Sequence, residues 1–215
     1  MNLLSIVFKG GILMIPIFLC SLIAVAVIIE RWLFLRKVRI NARSFILQVK
    51  SLIMKNMISE AVILCKRTTA PIAKITKAGV ERINRPREEI KEAIETAAKT
   101  EIYQLEKNLG ILGTIAAVAP LLGFLGTVTG MIRAFIQVQN LGGNVDASVL
   151  AGGIWEALVT TAAGLVVGIP TLIFYNWLQS KVEYFVFEME ENSTALLDML
   201  IQKEEGKYEV SNDPK

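Results

Sequence analysis

Three long stretches without a charge decide what this chain can fold into. Between Lys9 and Glu30 lie 20 uncharged residues, Gly10 to Ile29, and between Lys107 and Arg133 lie 25, Asn108 to Ile132. Between Asp146 and Lys181 lie 34 residues whose one charged member is Glu156. At ~1.5 Å per helical residue, each stretch is long enough to cross a hydrocarbon core of ~30 Å. With 53% of the 215 residues hydrophobic and 20% charged, and a mean hydropathy of +0.50, the chain reads as a multi-pass membrane protein. The first stretch lacks a small-x-small cleavage site before Glu30-Arg31, and Leu19 before Cys20 spoils a lipobox, so it is expected to remain as a span.

The missing residues exclude much chemistry. Histidine is absent, which removes Ser-His-Asp and Cys-His triads, His-ligated zinc and haem, and every His general base. Cys20 lies in an apolar run and Cys65 in a basic stretch, so no disulfide framework or CxxC pair is available and both read as packing residues. No enzyme activity, metal or cofactor is expected. The net charge of +3 is far below that of a nucleic-acid binder, so the expected surroundings are a lipid bilayer and other proteins.

The basic residues orient the spans. The segment from Arg36 to Lys107 holds 16 of the 23 Lys and Arg, with Arg36, Lys37, Arg39 and Arg43 close behind the first span, whereas residues 138–150 hold none. The positive-inside rule then places the N-terminus outside and the long loop in the cytoplasm, and three crossings put the C-terminal tail in the cytoplasm. The expected organisation is an N-terminal segment and first span at 1–35 and a cytoplasmic helical region at 36–106. A second span follows at 107–137, a periplasmic connection at 138–150, a third span at 151–180, and a cytoplasmic helix and tail at 181–215.

Periodicity makes the whole chain helical. After Asn84-Arg85-Pro86, with Glu88, Glu89 and Glu92 near the start, apolar or small residues recur at Ile90, Ile94, Ala98, Ile102, Leu105 and Leu109. That stripe runs straight into the second span and predicts one helix from about Arg87 to Val138. The third span continues in the same way through Val182, Phe185, Met189, Leu196 and Leu200. Shorter patterns at 45–64 and 72–83, separated near Pro71, predict two further helices, and Gly206 to Lys215 reads as a loose tail. The fold class is therefore all-α, with three transmembrane helices of which two extend into the cytoplasm as long helices.

Small residues mark the second and third spans as packing surfaces. At ~100° per residue, Gly123, Gly126 and Gly130 fall within about 60° of one another, and Gly153, Ala157, Thr160, Gly164 and Gly168 within about 80°. The first span has no such stripe, which places it on the lipid side and the other two at the centre of an assembly. Packing inside one three-helix chain is the other use such stripes can have.

Glu156 needs a reason to be where it is, since a charge at the bilayer centre costs about 2.5 to 3.5 kcal/mol. Two readings stay open: a carboxylate on an ion pathway, or a hydrogen-bonded glutamate near the outer interface, because Asp146 is only ~15 Å of helix away. Thr160 lies one turn along the same face, and Thr127, Thr129 and Thr161 supply further hydroxyls.

Taken in order, Ala119-Pro120-Leu121-Leu122-Gly123-Phe124-Leu125-Gly126-Thr127-Val128-Thr129-Gly130-Met131-Ile132, then Gly153-Ile154-Trp155-Glu156-Ala157-Leu158-Val159-Thr160-Thr161-Ala162-Ala163-Gly164-Leu165 and Ile169-Pro170 up to Tyr175-Asn176, closely resemble the second and third helices of the ExbB/TolQ branch of the MotA/TolQ/ExbB proton channel family. The resemblance implies a homopentamer whose second and third helices surround the single transmembrane helices of an ExbD- or TolR-like dimer. It also implies that proton flow is coupled to an envelope-spanning TonB- or TolA-like protein, with an aspartate on the partner helix completing the relay. Matched residue by residue, the family's intramembrane glutamate falls on Glu156 and its two pore threonines on Thr127 and Thr161; Thr160 joins the expected pathway only by its place one turn along the Glu156 face. Trp155 and Thr160 stand where the family more often has small alanines. Thr161 lies about 140° around the helix from Glu156, so the two cannot both point straight down one pore.

A MotA-like stator is the alternative motor branch, but that branch has four spans and lacks the Glu156 equivalent. A freestanding channel would conduct without a partner. The orientation is directly testable: a cysteine placed at Asn144 is expected to react with a membrane-impermeant maleimide added outside, and one at Asn84 is not. The reverse pattern would invert the topology.

Overall fold

The computed structural model describes residues 11–140 and 147–211, with side chains described over 11–140 and 151–200. Among these residues there are helices and turns and no strand. In chain order the helices are α1 (Met14–Val38), α2 (Ala42–Met54), α3 (Ile58–Arg67), α4 (Pro71–Val80), α5 (Arg87–Glu106), α6 (Leu109–Asn140) and α7 (Ala147–Ser211). Segments long and apolar enough to cross a membrane fall at the three expected places, beginning in α1, across α5 and α6, and in α7. The expected connection at 138–150 lies outside the described residues from 141 to 146, as do Lys9 and the last four residues of the expected tail. Gly206 itself lies within α7, which continues to Ser211.

Two expected helices are each divided in the structure, both at an asparagine in the left-handed region. The pattern over 45–64 becomes α2 and α3 because Asn56, at φ 62, ends α2. The Met57 N–H reaches back to the Leu52 carbonyl at 2.9 Å and the Asn56 N–H to Ile53 at 3.0 Å. This is a Schellman motif, satisfying carbonyls that the last turn would otherwise leave open. The single helix expected from Arg87 to Val138 divides at Asn108, φ 65, into α5 and α6. The Asn108 amide donates to Glu30 Oε2 at 3.1 Å. Asparagine is among the few residues besides glycine that enter this region readily, so an apolar periodicity can run unbroken over a real break.

The chain forms two compact units: Met1–Arg31 with Asn108–Gln179, and Trp32–Lys107 with Ser180–Lys215. In the first, α6 and the N-terminal half of α7 run antiparallel over a seam of small residues. A Cβ on Gly164 would stand 2.5 Å from the Ala119 carbonyl oxygen and 2.9 Å from the Gly123 Cα. On Gly168 it would stand 2.5 Å from the Pro120 ring, and on Gly126 2.3 Å from the Thr160 methyl. A Cβ on Gly123 would stand 3.1 Å from the Thr161 Cα, one on Gly130 3.0 Å from the Ala157 methyl, and one on Gly153 2.6 Å from the Ala134 methyl. The pairs step in opposite senses along the two helices, from Pro120 with Gly168 to Ala134 with Gly153, which fixes one register. Pro120 has no N–H to give the Ala116 carbonyl one turn back, and the Gly168 backbone runs beside that freed oxygen. Larger apolar side chains turn the other way: Leu121, Phe124, Leu125, Leu158, Val166 and Ile169 are exposed, as are Phe18, Leu19 and Leu22 on α1.

The second unit has its own core. Asn41 caps α2 by accepting from the Ser44 N–H at 2.9 Å, and Pro71 opens α4 at a position where a missing N–H costs nothing. The buried faces bring together Val49, Ile53, Ala61, Ile75, Ile90, Leu105, Leu196 and Leu200. Gly79 leaves room for Ile94 and Leu200, whose side chains would lie 3.0 and 3.2 Å from a Cβ there. Lys74 Nζ donates to both carboxylate oxygens of the buried Glu101 at 2.9 Å, so that carboxylate is not left unpaired in the core. Cys65 is 2% exposed, and burial first, with the nearby Glu81 charge second, pushes its thiol up from 9.0 to about 11.

Two measurements test this architecture. Gly164→Ala and Gly168→Ala, which press a methyl onto backbone or a proline ring, are expected to lower thermal stability in detergent by about 1 to 3 kcal/mol. Gly110→Ala and Gly152→Ala, which meet nothing within 4 Å, are expected to be neutral or slightly stabilising, by up to about 1 kcal/mol. Equal effects of all four would mean that the seam is not close-packed. For Cys65 the raised folded value means that the native thiol stays protonated while an unfolded one ionises, so stability is lost as pH rises from 9.0 towards about 11. Iodoacetamide at pH 8 should therefore modify Cys65 only after unfolding, and rapid native labelling would contradict its burial.

Candidate functional site

The polar groups of the membrane unit collect along the seam because its glycines let main-chain oxygens of one helix face side chains of the other. Thr161 on α7 donates to the Gly123 carbonyl of α6 at 2.9 Å, and Thr127 lies 3.4 Å from the same oxygen. The two hydroxyls are themselves hydrogen-bonded to each other. One carbonyl thus gathers two side chains 34 residues apart in sequence into a single polar cluster. Glycine at 123 is what makes this possible, since a side chain there would push Thr161 and Gly164 away.

The other threonines turn to their own helices. Thr160 is fully buried and donates to the main-chain oxygen of Glu156 at 2.8 Å, with its methyl against Gly126. Thr129 donates one turn back to Leu125 at 3.0 Å. Such bonds remove the cost of a hydroxyl in an apolar surrounding.

Glu156 is not alone in its membrane segment. Its Oε1 accepts from Arg133 Nη1 at 2.8 Å, with the arginine side chain 53% exposed and the glutamate 29%. In the sequence Arg133 marks no more than the end of the second uncharged stretch. The signal was present: the antiparallel register that pairs Gly130 with Ala157 and Ala134 with Gly153 places position 133 level with position 156. The structure therefore brings Thr127 together with Thr161 and Glu156 together with Arg133, while Thr160 sits between the pairs, committed to the Glu156 main chain. Gly123, Gly126, Gly130, Gly153, Gly164 and Gly168 all lie in the seam that holds these groups in register. Among the described residues, no three His, Cys, Asp or Glu side chains come close enough to hold a metal ion.

Three apolar helices of spanning length, two of them joined over glycines with hydroxyls and one ion pair between them, define a multi-pass membrane protein with a polar helix–helix seam. A profile of the MotA/TolQ/ExbB proton channel family matches residues 67–191, covering both seam helices. The ExbB-like 3 protein of Synechocystis sp. is 33% identical over 209 residues, 94% of this chain and 99% of that protein. An ExbB-like 1 protein of the same organism is 33% identical over 190 residues, 86% of this chain and 75% of that one. The Tol-Pal system protein TolQ of Haemophilus influenzae is 38% identical over 90 residues, 42% of this chain and 39% of that one. The chain belongs to the MotA/TolQ/ExbB proton channel family, and its relatives are of the ExbB and TolQ kind. That is a family of membrane proton channels rather than of enzymes.

Proposed function

We propose that this chain is the ring-forming subunit of a proton-motive-force-driven motor in the bacterial inner membrane. The ring is a pentamer, α6 and α7 surround the transmembrane helices of an ExbD- or TolR-like dimer, and the work is delivered to a TonB- or TolA-like envelope-spanning protein for outer-membrane transport or integrity. The observation that carries this reading is the cluster of Thr127 and Thr161 on the Gly123 carbonyl, placed on the two helices that the family profile covers. Basic residues from Arg36 to Lys107 support a cytoplasmic position for the second unit, with the N-terminus in the periplasm and the C-terminus in the cytoplasm.

Energetics explain why a partner is needed. One elementary charge crossing 100 mV releases about 2.3 kcal/mol, but only a relay that spans the membrane can use it. Among the described membrane residues the seam offers hydroxyls and one carboxylate already engaged by Arg133, and no run of titratable groups. A carboxylate on a partner helix would complete the path. Three spans and the presence of Glu156 speak against a MotA-like stator.

On this reading the purified ring by itself leaks protons slowly, and Thr161→Val and Glu156→Gln each abolish energy-dependent work in cells while the ring keeps its native mass. Rapid proton flux through the ring alone would point to a freestanding channel, and full work from both variants would overturn the motor assignment.

A further inference from the structure

Arg133 and Glu156 meet where the chain has no need of charge for packing. The guanidinium donates to Oε1 at 2.8 Å across the gap between α6 and α7, and a third element closes on the same atom. A Cβ built on Gly11 would lie 2.2 Å from Glu156 Oε1, 3.2 Å from its Cδ and 3.6 Å from Arg133 Nη1. Gly11 also sits at φ 70, where a side chain is strained whatever the space around it. Two independent constraints thus hold residue 11 to glycine, and both let the main chain ahead of α1 rest against the ion pair. On α7, Thr160 fixes the main chain of Glu156 one turn along. The carboxylate is held from three directions: by the arginine at its oxygen, by the Gly11 backbone beside it, and by its own helix beneath it. A planar guanidinium suits that task, because its donors stand in a rigid fork.

We infer that Arg133 is the positioning residue for Glu156, and that the Arg133–Glu156 pair seated against Gly11 is the unit that acts in proton-coupled work. This rests on the motor reading above. It assigns Arg133 a role beyond structure: a pair serving only to hold helices together can be replaced by neutral side chains of similar size without loss, whereas a pair that presents a carboxylate at one place cannot.

The test uses the full chain in cells that carry its natural partners, with ring mass and proton-dependent work measured for each variant. Arg133→Gln is expected to assemble and lose work to the level of Glu156→Gln, and Arg133→Lys, which keeps a cation within reach of Oε1, to recover it. The doubly neutral Arg133→Gln/Glu156→Gln chain is expected to assemble and stay inactive. Full work from Arg133→Gln, or from the doubly neutral chain, would overturn the inference. Gly11→Ala reaches the carboxylate by another route without altering a charge. It should lose work, and Gly11→Ala/Glu156→Asp, one methylene shorter, should regain part of it. Unimpaired work from Gly11→Ala would equally overturn the inference, whether or not Arg133→Gln assembles. Loss of the motor reading looks different: there Thr161→Val and Glu156→Gln themselves keep full work.

Discussion

The close approach of α6 and α7 over Gly123, Gly164 and Gly168 sets which polar groups of the two helices face each other. In lipid there is no hydrophobic gain from bringing two apolar helices together, so contact has to come from surfaces that fit at short range. Here the fit is made by leaving atoms out. With no Cβ at three successive levels, backbone meets backbone, and sliding either helix by a residue would move Pro120 or Thr160 off the glycine that now makes room for it. Register follows from that exclusion, and with it the opposition of Thr127 to Thr161 and of Arg133 to Glu156.

Polar groups in such a seam have different degrees of commitment. Thr129 and Thr160 spend their hydroxyls on carbonyls of their own helices, whereas Thr161 reaches across to Gly123 and shares that oxygen with Thr127. A hydrogen bond between helices depends on their spacing in a way that one inside a helix does not. A rearrangement of α6 against α7 would stretch the Thr161 bond to Gly123, while the bond from Thr129 to its own helix would be untouched. The same holds for the charged pair, whose two members stand on opposite sides of the seam and whose Gly11 contact adds a third element.

Much of this was legible in the sequence because it rests on strong local patterns. Three uncharged runs gave three spans, the glycine stripes gave the packing faces, and the dense match over 119–132 and 153–176 gave the family. The breaks at Asn56 and Asn108 were not legible, since each rests on one residue in the left-handed region, and the apolar periodicity on either side runs on as though nothing intervened. Arg133 was hidden for another reason. A charge at the end of an apolar run reads as a boundary, and its partner becomes visible only when the two stripes are laid against each other in antiparallel register. The Lys74–Glu101 pair, joined across 27 residues, is likewise a product of tertiary packing that no local pattern announces.

The left-handed turn at Asn108 has a further consequence for how this chain tolerates changes of length. Helical phase advances by ~100° per residue, so an insertion within a continuous helix rotates everything beyond it onto a different face. At Asn108 the phase is reset, so α6 begins afresh and its glycines keep a register of their own. Within the seam α7 has no such joint, and a residue added between Gly153 and Gly164 would turn one of them off the face that meets α6. A change of length is therefore contained at the Asn108 joint and carried onward inside the seam.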